Sequence, residues 1–286
     1  MRALVTGGAG FIGSHVVDYL LDKGYDVIVM DNFSTGSMDN LPDEIEPIII
    51  HTIGSDDPLP QGLKFDTLVH LAAPVSVEES LSNAKKYYTQ IAYGTDKLMK
   101  WAVGCGCNNF VLASTAAVYG EHDKVLLSEE SDLYPQSPYA SAKLLMEDMA
   151  SYYKDQNVSI LRFFNVYGER QRDTGGYVSA IPIFRAQVAN GHPVTVTGDG
   201  EQTRDFVYVK DVADAVHKAI GSNVTLNIGS GKEYKVIDIA KAFSDNIKFI
   251  PERNEIKRCR ADIYNAYFWL NWKPYSELLK WIKSIK

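Results

Sequence analysis

The sequence has few of the residues that mark several common classes of protein. Its 286 residues include three cysteines, Cys105, Cys107 and Cys259. This small, odd number argues against a disulfide framework and predicts a reducing compartment, the cytoplasm. Cys105 and Cys107 flank one glycine with no histidine or further cysteine nearby, so we predict no metal site.

Long apolar and basic runs are also missing. No stretch approaches the roughly 20 apolar residues of a membrane span, and residues 2–5 read as a strand where a signal peptide would need its basic and apolar regions. The net charge is −7, which disfavours binding to nucleic acid or to an anionic membrane. The 45% hydrophobic content suffices for one large or two modest cores.

A glycine-rich turn near the N-terminus is the first positive signal. It joins a predicted strand, 2–5, to a helix that begins at Phe11, and it contains Gly7, Gly8, Gly10 and Gly13. Glycines at this spacing allow a tight turn, a close approach of pyrophosphate to the backbone, and close packing of helix on strand. The helix N-terminus adds free N–H groups and a positive dipole end, so the segment predicts a dinucleotide site.

Asp31 indicates which dinucleotide is bound. It ends a second predicted strand, Val27–Asp31, 18 residues after Gly13. A carboxylate there accepts hydrogen bonds from the adenine ribose diol and repels a 2′-phosphate. Residues 32–36 contain no Arg or Lys, so we predict NAD rather than NADP.

Short apolar runs alternate with helical patterns over the first 165 residues. The predicted strands are Val27–Asp31, Pro47–His51, Thr67–Leu71, Asn109–Ser114 and Val158–Arg162, and the long helices are Ala84–Val103 and Pro138–Lys154. This alternation predicts an α/β fold with a Rossmann-type doubly wound parallel sheet, whose ligands lie beyond the C-terminal ends of the strands.

The composition changes after Arg162. Residues 165–205 are rich in glycine and contain one helical segment, Val178–Asn190, before the strand Val194–Thr197. We predict an NAD-binding domain over 1–165, to which 206–220 return, and a smaller mixed α/β nucleotide-sugar domain over 166–286.

Tyr139 and Lys143 are the candidate catalytic pair. Four residues apart near a helix start, they share one face, and an adjacent ammonium lowers the pKa of a tyrosine toward the working range. Tyr139 could then act as a general base for a substrate hydroxyl. Ser114 and Thr115, at the end of a neighbouring strand, could share a hydrogen bond with the same oxygen. The spacing alone also fits an ordinary surface pair.

Motifs spread over nearly the whole chain carry a resemblance to a known family. They are TGGAGFIGS (6–14), DN (31–32), HLAA (70–73), STAAVYG (114–120), SPYASAK (137–143), RFFNVYG (162–168), GDGEQTRDFVYVKDVADA (198–215) and ADIYNA…LNWKP (261–274). Together they resemble the extended short-chain dehydrogenases/reductases of the NAD-dependent epimerase/dehydratase family, and within it the 4-epimerases of UDP-hexoses.

The resemblance implies a role for each matching residue. The residues implied to bind NAD are Gly7, Gly10, Phe11, Ile12, Gly13, Asp31, Asn32, Leu71, Ala72, Tyr139, Lys143 and Phe164. The implied catalytic residues are Tyr139, Lys143 and Thr115. The residues implied to bind the UDP-sugar are Thr115, Tyr139, Asn165, Arg204, Arg253 and Cys259. It also implies a homodimer built through two helices of each chain.

Two small residues separate the subfamilies. Dehydratases have an Asp-Glu pair directly after the Ser/Thr, and UDP-glucuronate decarboxylases have a Glu two residues beyond it, whereas this chain has Ala116 and Ala117. The resemblance therefore implies 4-epimerisation through a transient 4-keto sugar. The alternatives are another nucleotide-sugar epimerase, such as one for UDP-glucuronate or for dTDP- or GDP-sugars, a keto-sugar reductase, or a non-catalytic dinucleotide sensor.

Departures from the family pattern lie mainly late in the chain. Its usual second diphosphate arginine has no clear match, and Arg253 is the candidate, with Arg258 as the alternative. Cys259 matches a wall position at which a tyrosine restricts relatives to unsubstituted hexoses. A cysteine there predicts that 2-acetamido sugars are accepted, unless the local alignment has slipped and Cys259 packs elsewhere.

Overall fold

The computed structural model describes residues 1–173, 179–252 and 256–285. Up to residue 163 the elements are β1 (Arg2–Thr6), α1 (Phe11–Asp22), β2 (Asp26–Asp31), β3 (Ile48–Ile50), β4 (Thr67–His70), α2 (Val77–Ser82), α3 (Ala84–Tyr87), α4 (Gly94–Gly104), β5 (Asn109–Thr115), β6 (Leu126–Leu127), α5 (Pro138–Ala150) and β7 (Asn157–Phe163). A π-helical turn, Tyr88–Tyr93, joins α3 to α4, so these three segments form one continuous helix.

The second half of the chain has shorter elements. They are β8 (Asn165–Tyr167), α6 (Ala180–Ala189), β9 (Val194–Thr197), β10 (Thr203–Arg204), β11 (Phe206–Tyr208), α7 (Val209–Ala219), β12 (Thr225–Ile228), β13 (Tyr234–Lys235), α8 (Val236–Phe243), β14 (Ile247–Ile250), β15 (Arg260–Ala261), α9 (Tyr264–Leu270) and α10 (Leu278–Ser284).

Seven parallel strands form the central sheet, in the order β12-β7-β5-β4-β1-β2-β3. The order reverses between β1 and β4, which places the ligand crevice beyond the C-terminal ends of those strands. The predicted doubly wound sheet is confirmed.

Hydrophobic side chains cover both faces of this sheet. Along β1, Ala3 and Val5 belong to the core that includes α1 and α7, whereas Leu4 belongs to the core on the opposite face, under α4 and α5. Alternate residues of a strand point to opposite faces, and burying a leucine or valine contributes about 1.5–3 kcal/mol. This two-sided burial explains why the strands read as continuous apolar runs.

A third core lies in the second half of the chain. It is built on α6, α8, β9 and α10 and includes Phe184, Val196, Ile239 and Ile282. The division into an NAD-binding and a nucleotide-sugar domain remains a prediction. The predicted return at 206–220 corresponds to β11 and to α7, which packs on α1, and the return continues into β12 at the edge of the main sheet.

Most of the predicted elements are present, and their ends differ by a few residues. The strand predicted over Thr67–Leu71 ends at His70 in the structure. The helix predicted over Pro138–Lys154 ends at Ala150. The short elements α2, β6, β14 and α9 were not predicted. In the described part of the chain, no helix is both long enough and apolar enough to cross a bilayer.

Candidate active site

The glycine turn has the geometry that a dinucleotide pyrophosphate requires. Gly7 has a φ of +70°, and a Cβ atom there would lie 2.8 Å from the backbone nitrogen of Ala72. A Cβ on Gly13 would overlap the carbonyl oxygen of Gly7. Gly10 starts α1 without a capping side chain, which leaves the first-turn N–H groups available to an anion. The turn therefore fits NAD, with Phe11 and Ile12 opening the helix behind it.

Asp31 ties this turn to the end of β2. Its carboxylate accepts hydrogen bonds from the backbone N–H groups of Ala9 at 3.0 Å and Phe33 at 2.8 Å. A carboxylate has about four acceptor positions, so capacity remains for a ribose diol. Asn32 follows on the surface and donates to the Thr52 hydroxyl at 3.2 Å.

A buried hydrogen-bonded chain supports Leu71 and Ala72, which follow β4. The backbone N–H of Ala72 donates to Thr6 Oγ1 at 3.3 Å, and Thr6 Oγ1 lies 2.6 Å from His70 Nδ1. His70 Nε2 lies 2.9 Å from Thr95 Oγ1, which donates to the carbonyl of Ile91 in the π-helical turn. Thr95 donates elsewhere, so His70 carries its proton on Nε2. Burial, with a smaller effect of Lys143, lowers the pKa of His70 to about 3.

Local sequence explains where Tyr139 and Lys143 lie. Ser137 caps α5 by accepting a hydrogen bond from the N–H of Ala140 at 3.2 Å, and Pro138 occupies the first turn, as is favoured at helix starts. The side chain of Lys143 is buried, and its Nζ donates to the carbonyl oxygen of Ala113 in β5 at 2.6 Å. The catalytic helix is thereby attached to the sheet.

That attachment aligns Tyr139 with Thr115. Because α5 connects the parallel neighbours β5 and β7, it runs antiparallel to them. Tyr139 precedes Lys143 by four residues, so it lies about 6 Å nearer to the C-terminal edge of the sheet. Thr115 follows Ala113 by two residues along β5, so it lies about 6.6 Å nearer to the same edge. Tyr139 also packs edge-on against Tyr87, with ring centroids 6.3 Å apart.

The two predicted hydroxyls differ in their contacts, because Thr115 Oγ1 accepts a hydrogen bond from the N–H of Ala117 at 3.2 Å. Ser114 donates its hydroxyl hydrogen to the buried carboxylate of Glu147 on α5. Since the Ser114 hydrogen is used in this contact, the hydroxyl that we assign to the substrate oxygen is that of Thr115, and this role stays a prediction. Glu147 and its partner Arg162 were missed, although a glutamate four residues after Lys143 and an arginine within an apolar strand were visible signals.

Asp205 organises the opposite wall of the site. Its buried carboxylate accepts hydrogen bonds from the N–H and hydroxyl of Ser230 and from the N–H groups of Gly231 and Ala261, at 2.6–3.0 Å. Its carbonyl accepts from the N–H of Asn165 at 3.1 Å and from the Asn165 amide at 2.8 Å. Asn165 is thus fixed just past the C-terminal end of β7.

Cys259, Arg204 and Phe164 lie on this same wall. Cys259 is 7% exposed and belongs to a small apolar cluster with Phe164, Tyr119 and Leu127. Burial raises the pKa of its thiol, and the charge of Arg204 acts in the opposite direction. The structure therefore brings the predicted residues Arg204 and Cys259 together.

The predicted second diphosphate arginine cannot be located. Arg253 lies outside the described residues. Arg258, the alternative, makes a two-pronged ion pair with Glu233, with distances of 3.0 and 2.9 Å. Within the described chain, no cluster of three or more His, Cys, Asp or Glu side chains could hold a metal ion.

Known proteins are similar to this chain in sequence. The family model described as "NAD dependent epimerase/dehydratase family" matches residues 3–230. A Methanocaldococcus jannaschii protein, provisionally named a UDP-glucose 4-epimerase, is 36% identical over 99% of this chain and 96% of its own. UDP-glucuronic acid decarboxylase 1 of Danio rerio is 32% identical over 96% of this chain and 69% of its own.

Two solved structures are similar over nearly the whole chain. A Thermotoga maritima UDP-glucose 4-epimerase with UDP-glucose superposes with a TM-score of 0.90 at 33% identity, covering 99% of this chain and 96% of its own. A Methanobrevibacter ruminantium UDP-N-acetylglucosamine 4-epimerase, in complex with UDP-N-acetylmuramic acid, superposes with a TM-score of 0.89 at 33% identity. The match covers 100% of this chain and 99% of that one. With its glycine turn, Asp31 and the Tyr139–Lys143 helix in place, the chain belongs to the NAD-dependent epimerase/dehydratase family.

Proposed function

We propose that this chain is a 4-epimerase of UDP-hexoses that accepts UDP-galactose and UDP-glucose and also their 2-acetamido counterparts. The observation that carries the proposal is the anchor between Lys143 Nζ and the Ala113 carbonyl, which sets Tyr139 level with Thr115. The similar proteins named as UDP-glucose and UDP-N-acetylglucosamine 4-epimerases support the same assignment.

The segment after Thr115 supports epimerisation over elimination or decarboxylation. Ala116 and Ala117 open a short 3₁₀ turn, Ala116–Tyr119, and the N–H of Ala117 donates to Thr115 Oγ1 at 3.2 Å. Methyl side chains cannot transfer a proton. These two positions therefore lack the acid or base that the resemblance assigns to dehydratases and decarboxylases.

The chemistry follows from few groups. Bound NAD⁺, held by the glycine turn, Asp31 and the segment at Leu71, supplies the hydride acceptor. Tyr139 removes the proton from the sugar O4, Thr115 offers a hydroxyl to the same oxygen, and Lys143 favours the tyrosinate by its charge. After the 4-keto sugar has rotated in the site, C4 regains on its opposite face the hydride that it gave up, and Tyr139 returns the proton to O4, so no net oxidation results.

Substrate binding is proposed for the wall formed by Asn165, Arg204 and Cys259. An arginine donates parallel hydrogen bonds to a diphosphate, which is the role we propose for Arg204. A cysteine occupies less volume than a tyrosine, so the wall at Cys259 leaves room for a 2-acetamido group.

Proton NMR of the purified protein with UDP-galactose, without added cofactor, tests this proposal. We expect the anomeric signal of UDP-glucose to grow to equilibrium, and the corresponding signal from UDP-N-acetylgalactosamine to do the same. Tyr139→Phe is the matched control and should leave both spectra unchanged. If neither sugar changes after NAD⁺ is added, the proposal fails. UDP-uronates, dTDP-sugars and GDP-sugars would then be tested as substrates. Light scattering would test the homodimer that the resemblance implies.

A further inference from the structure

A buried ion pair lies directly behind the proposed proton-transfer residues. Arg162 on β7 binds the Glu147 carboxylate through Nη2 at 2.7 Å and through Nε at 3.1 and 3.2 Å. The side chains are only 6% and 7% exposed. Arg162 Nη1 also donates to the Tyr119 hydroxyl at 3.0 Å. Both charges are thus held in fixed positions.

The same carboxylate connects α5 to the end of β5. Ser114, the residue before Thr115, donates its hydroxyl hydrogen to Glu147. Tyr139, Lys143 and Glu147 are spaced four residues apart, so they form one stripe along α5. The stripe makes two separate contacts with β5, at Ala113 through Lys143 and at Ser114 through Glu147.

Stability alone is a weak explanation for this pair. Burying two ions costs several kcal/mol each before their attraction offsets it, and apolar replacements of similar volume are often as stable. A pair that links three elements next to the reacting groups has a second use, because a shift of about 1 Å can cost 100-fold in rate.

Charge adds a further connection to Lys143. Burial lowers the pKa of Lys143 to about 8, and the negative charge of Glu147 acts against that shift. The Lys143 charge also acts on the neutral His70, the last residue of β4. Arg162 on β7 lies behind Glu147, and Tyr139 lies one helical turn before Lys143 on α5.

We propose that Glu147 is a positioning residue for the proposed epimerase reaction, which holds the Ser114–Thr115 strand end and Lys143 in register around Tyr139. The inference rests on the proposed function for its kinetic consequences. Its structural part concerns the Lys143 ammonium and can be measured without turnover.

The kinetic test compares Glu147→Gln and Ser114→Ala with Asp148→Asn, an exposed change on the same helix. For Glu147→Gln we expect kcat to fall by about 10-fold or more with KM for the UDP-sugar little changed, and the alkaline limb of the pH profile to move to lower pH by about half a unit or more. Ser114→Ala removes the contact with β5 but keeps the Glu147–Arg162 ion pair, so it should lower kcat without moving the alkaline limb of the pH profile. Asp148→Asn should match the wild type.

A second measurement follows the ammonium directly. Titration of ¹³C-lysine-labelled protein by NMR, with the Lys143 signal identified by its absence in Lys143→Met, should give a lower pKa for Lys143 in Glu147→Gln than in the wild type. Wild-type values of kcat, pH profile and Lys143 pKa in Glu147→Gln would overturn the inference. If Glu147→Gln does not fold, a wild-type kcat in Ser114→Ala would overturn the inference. An inactive wild type would overturn the proposed function, and the titration would still decide the role of Glu147.

Discussion

Lys143 Nζ lies 2.6 Å from the carbonyl oxygen of Ala113, which joins the helix that bears Tyr139 to the strand that ends in Thr115. The contact fixes the position of the Lys143 ammonium. It also fixes how far α5 extends along β5 toward the C-terminal edge of the sheet. Charge and position are therefore supplied by the same side chain.

Replacing Lys143 by methionine separates these effects from packing, because methionine keeps most of the side-chain volume. We expect kcat for UDP-galactose to fall by about 100-fold or more, since both the charge near Tyr139 and the attachment to β5 are lost. Steady-state kinetics would measure this, with Lys100→Met as the control. Lys100 is exposed and pairs with Asp96, and its loss should leave kcat unchanged.

The pH dependence of activity should reflect the same ammonium. Because burial lowers the pKa of Lys143 to about 8, the group is charged below that pH and neutral above it. We expect kcat/KM to decline as the pH rises through about 8. A profile that remains flat from pH 7 to pH 10 would contradict a role for the Lys143 charge.

Stability should fall in mild acid because of His70. Its folded-state pKa is about 3 and its unfolded value about 6.5, so below pH 6.5 the unfolded chain binds a proton that the folded chain excludes. At pH 5 this costs about 2 kcal/mol. Urea unfolding at pH 7 and pH 5 should give a smaller loss for His70→Gln than for the wild type. Exposed His192→Gln should retain the full loss; equal losses in all three proteins would contradict the prediction.

Cys259→Tyr should narrow the range of substrates. A phenol ring at this buried wall position would occupy the space proposed for a 2-acetamido group, so we expect turnover of UDP-N-acetylglucosamine to fall by about 10-fold or more relative to UDP-glucose. Cys259→Ala should retain both activities. Since overpacking can destabilise a protein by about 1–3 kcal/mol, thermal unfolding would be measured alongside. An unchanged ratio of the two turnovers removes Cys259 from the specificity argument.

The sequence predicts best where local and tertiary requirements agree. The predicted strand Val194–Thr197 has the same bounds as β9 in the structure, because turns bound this short segment of clear periodicity. The glycine turn, Asp31 and the Tyr139–Lys143 helix also lie where the motifs place them, since strand ends in a parallel sheet share one edge.

Contacts between distant residues were not predictable in this way. The pairing of Glu147 with Arg162, and the four hydrogen bonds to the Asp205 carboxylate, depend on which elements become neighbours rather than on local pattern. The aromatic segment of α9 has weak helix propensity, and it is helical because Ala266 and Leu270 pack into the main core.

The position of β12 at the edge of the main sheet has a consequence for biosynthesis. Until residue 228 has emerged from the ribosome, β7 remains an unpaired edge next to β5. Exposed strand edges template pairing with other chains, so a fragment that stops near residue 165 should associate with itself. The first half of this chain therefore completes its fold only when the second half has been synthesised.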